Sequence, residues 1–157
     1  MEKFNAFKLI LSVLIIMALG ALSGIVTASQ ITTWYAQLQK PFFNPPNVIF
    51  APVWTLLYAL MGISFYLLWN SKSSLTKNMA LLFFILQFIF NLAWSFIFFY
   101  LHKTGWALAE ILGMWGLIVL TIKYSFPIQK WAAWLLVPYL LWVSFATILN
   151  AAIYILN

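Results

Sequence analysis

Five apolar runs, each about as long as a bilayer is thick, constrain this chain more than any other feature. They are Leu9–Ala28, Val48–Asn70, Asn78–Leu101, Thr104–Ile122 and Trp131–Leu156, and only Glu110 brings a formal charge into any of them. A hydrocarbon core about 30 Å thick needs roughly 20 such residues per helix. With 66% of its 157 residues hydrophobic and 6% charged, the chain has too little charge to cover a soluble surface. The expected fold is an all-α integral membrane protein, a single bundle of five transmembrane helices at about 8–28, 48–70, 78–101, 104–123 and 131–156. The first run is long and lacks a small-residue cleavage pattern, so it is expected to stay as a helix.

The net charge of +6 comes from lysine alone, without arginine or aspartate. In a soluble protein that balance would suggest nucleic acid. Here the lysines sit at helix ends, where they set topology and meet anionic headgroups. Lys3, Lys8, Lys72, Lys77, Lys123 and Lys130 fall on the N-terminal side, and Lys40 and Lys103 on the other. Six against two predicts a cytoplasmic N-terminus, with the Trp34–Pro46 connection outside.

Nine tryptophans need sorting. Trp69, Trp131 and Trp134 lie at helix ends, where the membrane interface suits an indole. Trp115 is mid-helix and needs no role beyond packing. A belt does not explain the rest: at 1.5 Å per residue, Trp54 lies roughly 9 Å past Val48, Trp94 roughly 10 Å before Leu101, and Trp142 about 16 Å past Trp131. Threading five helices puts Trp54, Trp94, Trp106 and Trp142 in the outer half or at the centre, beneath the proline-rich connection.

Polar residues follow the same pattern. Gln87, Asn91 and Trp94 share a face of the third helix, with Ser95 beside them; Trp106, Glu110 and Gly113 share one on the fourth. Trp142, Ala146 and Asn150 do so on the fifth, and Trp54, Tyr58 and Met61 on the second. Polar groups in hydrocarbon face inward, and interhelical hydrogen bonding is their ordinary use. Four of them converging with four large aromatics at one depth favours a cavity instead. Indole and phenol walls suit a flat, apolar, aromatic ligand rather than an ion or a sugar. Gly113 and Ala146 would leave it room. Gly20-x-x-x-Gly24 on the first helix reads as close helix packing. Pro138 should kink the fifth helix near the cavity, while Pro52 sits close enough to a helix start to do less.

Conventional catalysis is poorly supplied. There is no cysteine, His102 is a lone loop histidine, and Glu2 and Glu110 make no convincing carboxylate pair. No metal site and no required cofactor are expected. Glu110 reads as a neutral, hydrogen-bonded acid or as a group for ligand recognition or proton exchange. An indole beside a light-excited aromatic ligand could also donate an electron to it, which would give Trp54 and Trp142 a chemical role.

The stretches "WYAQLQKPFFNPP" (34–46), "APVWTLLYALMG" (51–62), "NLAWSFIFF" (91–99), "GWALAE" (105–110) and "PYLLWVSFATILN" (138–150) closely resemble the TspO/MBR family, the tryptophan-rich sensory or translocator proteins. The resemblance runs over essentially the whole chain. It implies five transmembrane helices, a first loop folded over a ligand pocket, and a homodimer. It further implies binding of porphyrins, notably protoporphyrin IX, and of other flat apolar molecules, with light-dependent porphyrin degradation in some bacterial members. Pocket positions implied by the family are Trp54, Asn91, Trp94, Trp106, Glu110, Trp142, Ala146 and Asn150, with Trp54 and Trp142 matching the pair implicated in degradation. Tyr58, Ser95 and Gly113 join them from the spacing. The chain departs from the family in three places. "AAIYIL" carries no basic residue after Tyr154, so sterol binding is not expected; Leu82 and Leu86 replace a small-residue dimer contact; and Asn44 replaces a histidine before the double proline. Loss of the sterol segment, together with the absence of targeting features, points to a bacterial plasma-membrane protein.

Three functions are consistent with this sequence: porphyrin binding with photo-oxidative breakdown, transport of porphyrins or other apolar molecules, and ligand-responsive regulation through a partner. The lid is expected to comprise Trp34, Lys40, Pro41, Asn44, Pro45 and Pro46, stiffened by its three prolines.

Overall fold

A computed structural model describes residues 3–157. Glu2, weighed above as a partner for Glu110, lies outside that range. Five helices long and apolar enough to cross a membrane span Ala6–Ile31, Asn47–Trp69, Leu75–Tyr100, Thr104–Ser125 and Lys130–Leu156, and the protein is an all-α five-helix membrane protein. Short connections keep the helices antiparallel, so one end of the bundle carries the Trp34–Pro46 connection and the other carries six of the eight lysines.

Helix α1 (Ala6–Ile31) starts where the Asn5 side chain accepts from the Lys8 N–H at 2.9 Å, satisfying one of the donors a helix start leaves open. The connection that follows is not featureless: it folds a short helix, α2 (Trp34–Gln37), and then a 3₁₀ turn at Asn47–Ile49 that feeds α3 (Phe50–Trp69). Pro52 falls in the first turn of α3, where a missing N–H disrupts no ladder bond. Helix α4 (Leu75–Ser95) is capped by Ser74 and ends in a π-helical turn, Phe96–Tyr100. His102 then takes a left-handed backbone (φ 56°) to reverse the chain into α5 (Thr104–Ser125).

The fifth span is two helices rather than one kinked one. Helix α6 (Lys130–Leu135) stops at Leu136, and α7 (Val137–Leu156) begins with Pro138 in its first turn. Proline has no N–H to return to the preceding turn and its ring crowds that turn's carbonyl, so the ladder is interrupted and the chain restarts there.

The core has two parts. The larger runs from mid-depth toward the lysine-rich end, through Met61, Leu68, Phe84, Met114, Ile118 and Tyr139. The smaller gathers Tyr35, Phe98, Phe99, Ala107, Leu149 and Ile153 beneath the connection. Helices α1 and α3 approach closely at Gly62, where an added Cβ would meet the Val13 Cα at 2.6 Å.

Candidate ligand chamber

Between the two cores, α1, α3, α4 and α7 leave two adjoining cavities. The inner one, about 40 Å³, is walled by Tyr35, Phe50, Trp54, Trp94, Ser95, Phe98, Phe99, Trp142, Ala146 and Asn150, with Thr27, Leu149 and Ile153. The outer one, about 530 Å³, lies between α1 and α3 and is walled by Gly20, Ala21, Gly24, Thr27, Ala28, Asn47, Phe50, Trp54, Tyr58 and Ser95 among others. Thr27, Phe50, Trp54 and Ser95 line both. The outer space falls in the roughly 300–1,000 Å³ range of small-molecule sites, whereas the inner one holds little more than a water's share, about 30 Å³. Ala21, Gly24, Ile25 and Ala28 are exposed along its rim, so it opens on the flank of the bundle, between helices, and not at its end.

Trp54 is the hinge of this arrangement. Its ring stacks on Tyr58 (centroids 5.3 Å, 28°) and meets Tyr139 edge-on at 6.3 Å. Trp142 stands across the inner cavity, packed against Phe50 at 6.2 Å and Phe145 at 5.6 Å. Trp94 lies flat on Phe98 (5.0 Å, 20°), and its indole N–H donates to Asn150 Oδ1 at 3.1 Å. Asn150 in turn donates to the Thr104 carbonyl at 2.9 Å, clamping α4, α5 and α7 together. Both ends of its amide are thus spent on protein.

One turn deeper, the polar residues bond each other. Tyr58 Oη donates to Asn91 Oδ1 at 2.9 Å, Asn91 Nδ2 donates to Tyr139 Oη at 3.1 Å, and Tyr139 reaches the Met114 sulfur at 3.4 Å. Asn91 is buried and lines neither cavity. It is a tie between α3, α4 and α7.

Helix α5 holds two corrections and one unfinished contact. Trp106 is 74% exposed and borders a shallow surface groove with His102, Lys103 and Tyr154, not the chamber. Gly113 is exposed and faces Phe90, whose ring an added Cβ would meet at 3.1 Å, so it leaves no room for a ligand. The two do share a face with Glu110, but α5 turns Ala107, Ile111, Met114 and Ile118 inward, and that stripe runs beside theirs. Glu110 is half-buried, lines neither cavity, and has no hydrogen-bond partner among the described residues for either oxygen; both side-chain amide atoms of the buried Gln87 are likewise unpartnered there.

The connection closes over the inner cavity and is anchored at several points. Tyr35, which lines that cavity, donates to Asn44 Oδ1 at 2.6 Å, and Asn44 Nδ2 reaches the Pro45 carbonyl at 3.1 Å. Burial pushes the Tyr35 phenol up to about 12, so it stays protonated as this donor well into alkaline pH. Lys40 donates to the Ala36 and Leu38 carbonyls and lies over the Tyr35 ring at 4.9 Å. Gln39 and Asn157 exchange two 3.0 Å hydrogen bonds, tying the connection to the end of α7. Trp34 stacks on His102 at 4.2 Å, while His102 meets Gln30 of α1 at 3.3 Å. Pro41 and Pro45 are partly buried, and Pro46 is exposed.

Sequence reasoning missed Thr27, Tyr35, Phe50, Phe98 and Phe99, and it misjudged one glycine. Gly20 does pack tightly, against the Tyr58 ring, but an added Cβ at Gly24 would meet nothing within 4 Å because Gly24 borders the outer cavity. Tyr35 and Phe98 were legible in the quoted motifs; Thr27 was not, since α1 carries no such signal. Among the described residues, no group of three His, Cys, Asp or Glu could hold a metal ion.

Fold and chamber define a class: a five-helix integral membrane protein with an aromatic-lined cavity under a folded connection. The sequence pattern of the TspO/MBR family matches residues 12–156. The chain is similar to the tryptophan-rich protein TspO of Archaeoglobus fulgidus (42% identical; 98% of this chain, 99% of the relative). It is also similar to the human translocator protein (38%; 77% and 73%) and to the tryptophan-rich sensory protein of Cereibacter sphaeroides (38%; 74% and 72%). The chain belongs to the TspO/MBR family.

Proposed function

We propose that the protein binds porphyrins, with protoporphyrin IX as the test ligand, along with other flat apolar aromatics. The observation that carries this is the outer cavity of about 530 Å³ with the Trp54 and Tyr58 rings in its wall. A planar macrocycle entering from the bilayer between α1 and α3 would meet those rings and gain stacking as well as burial. Trp142, Ala146 and Trp94 line only the inner cavity, so a ligand reaches them by widening that space. The folded connection would then limit access from water. The six-to-two distribution of lysines supports placing the opposite end in the cytoplasm of a bacterial plasma membrane.

Light-dependent breakdown is the chemical extension. One electron passes from the Trp54 indole to the photoexcited macrocycle and on to dioxygen, giving an indole radical cation and superoxide. The indole then recovers its electron from the macrocycle, and the macrocycle radical cation combines with superoxide. Both oxygen atoms thus add across one carbon–carbon bond of the ring, which opens to two carbonyls while the tryptophan is restored. Trp142 serves in the same way once the inner cavity opens. Transport finds less support: beneath the chamber, the Tyr58–Asn91–Tyr139 chain and the packed core fill the bundle.

The test is a fluorescence titration of protoporphyrin IX with the purified protein, in dark and illuminated arms. Quenching in the dark with a new absorbing product in the light supports both parts; no saturable quenching overturns the binding. Trp54→Phe should retain binding and slow the conversion more than Trp142→Phe does. Equal, unchanged rates in both variants would remove the tryptophans from the chemistry.

A further inference from the structure

A separate concavity lies toward the lysine-rich end, on the flank of the bundle between α1 and α4. It measures about 430 Å³ and is walled by Leu11, Ile15 and Leu19 of α1, Ile85 and Ile89 of α4, and Trp69 of α3, among other apolar side chains. Ile15, Ile85 and Ile89 are exposed, so the groove faces lipid. From Leu11 to Leu19 it follows ~12 Å of helix, most of the ~15 Å that one leaflet's hydrocarbon occupies.

The mouth of the groove is basic. The Lys8 ammonium lies 5.4 Å from the Trp69 ring centroid. The Lys77 ammonium donates to the Trp69 carbonyl at 2.9 Å and to the Ser71 carbonyl at 2.6 Å, two of its three donors. Lys3 is held nearby, its carbonyl accepting from Asn70 Nδ2 at 3.1 Å, and Lys72 lies on the turn that follows Asn70. Among the described residues these four lysines make this corner of the bundle positive, and Glu110 lies on α5 nearer the opposite end.

We propose that this groove is a binding site for one anionic phospholipid. Its acyl chain lies between α1 and α4, and its phosphate sits at the ammonium groups of Lys8 and Lys77 beside Trp69. The apolar wall supplies contact for any acyl chain. The lysines supply the selection, because a zwitterionic headgroup brings its own cation to the same place. A nearby lysine strengthens attraction to an anionic surface about fivefold, and two flank this mouth. A second copy of the chain is a poorer occupant, since a face-to-face pairing here would bring two such lysine clusters together.

The full chain, purified in detergent, is titrated with phosphatidylglycerol and with phosphatidylcholine of identical acyl chains, and bound lipid is counted by native mass spectrometry. One phosphatidylglycerol should be retained about tenfold more tightly than phosphatidylcholine. Lys8→Gln should erase most of that preference while the unfolding midpoint holds. Lys123→Gln, at the same end but flanking neither Trp69 nor the groove, should preserve it. Ile85→Trp, which narrows the groove without touching charge, should lower retention of both lipids. Equal retention of the two lipids by the unmodified protein, or an undiminished preference in Lys8→Gln, would overturn the site. A dimer that Ile85→Trp splits with lipid retention unchanged would assign the groove to a second copy instead.

Discussion

Two regions one helical turn apart use the same kinds of residue to opposite ends. At mid-depth, Tyr58, Asn91 and Tyr139 form a chain of hydrogen bonds across α3, α4 and α7. Just above it, Trp54, Trp94, Trp142 and Ala146 surround space. Sequence position groups these residues together, because they lie on the same helix faces at similar depth. What separates them is whether a side chain spends its surface and its hydrogen bonds on protein. Asn91 spends everything, so it holds helices together; Trp54 leaves a ring face on two cavities, so it is available to a ligand. Tyr58 does both, bonding Asn91 with its hydroxyl while its ring lines the outer cavity.

The sharpest way to test this division is to fill the space. Ala146→Leu would push a branched side chain into a cavity of about 40 Å³. Overpacking costs about 1–3 kcal/mol, and about 1.4 kcal/mol is tenfold in affinity. Protoporphyrin affinity should fall tenfold or more in a fluorescence titration, with the helical circular dichroism unchanged. Undiminished affinity would mean that ligand stays in the outer cavity alone.

Asn91→Ala should give the opposite signature. It removes two interhelical hydrogen bonds, each worth roughly 0.6 kcal/mol on average in a membrane bundle. With the loss of packing, thermal unfolding in detergent should show a loss of about 1–2 kcal/mol, while ligand affinity changes by less than threefold. A variant of full stability with weakened binding would move Asn91 into the site and blur the comparison.

The folded connection belongs to the chamber side, and its effect should be smaller. Replacing both Pro45 and Pro46 with Gly raises the entropy lost when the segment folds, by about 0.4–1 kcal/mol per residue. The unfolding free energy should therefore fall by about 1–2 kcal/mol, and affinity should weaken by no more than several-fold. Anchors at Tyr35–Asn44 and Gln39–Asn157 persist in this variant, which is why the effect stays modest. Identical affinity would make the segment only a connector.

The five spans were legible because a bilayer imposes one length and one composition on every helix that crosses it. The described helices Ala6–Ile31 and Asn47–Trp69 begin and end within a few residues of the apolar runs. The π-helical turn at Phe96–Tyr100 was not legible, since it does not change hydropathy; Pro138 did announce a disturbance of the fifth span, which takes the form of a break at Leu136 rather than a kink. Within the site, depth was easy to read and rotation was not. Trp54, Trp142 and Ala146 lie on faces whose neighbours also point inward, so periodicity placed them at the cavities. On α5 the apolar face is broad, and nothing in "GWALAEILGMWG" says which edge of it meets the other helices. Gly24 shows the same limit from the other side: small-residue spacing signals close approach, but a glycine beside a cavity has the same letter as one beneath a tyrosine ring.

Trp106 is where that ambiguity can be measured, and the smallest effect is expected there. The family resemblance assigns it to the pocket, yet its ring stands on the surface beside Tyr154 and the His102 turn. Replacing it with Ala removes no wall from either cavity and no hydrogen bond described for the site. Affinity for protoporphyrin should stay within twofold of the unmodified protein, with stability falling only by the packing of a largely exposed ring. The inner stripe of α5, Ala107 and Ile111, is fully buried against the bundle, so bringing Trp106 inward would require the helix to turn and expose it. A tenfold loss of affinity in Trp106→Ala would therefore mean that α5 rotates when ligand enters. The chamber would then be assembled by binding, and α5 would join α1 and α3 as one of its walls.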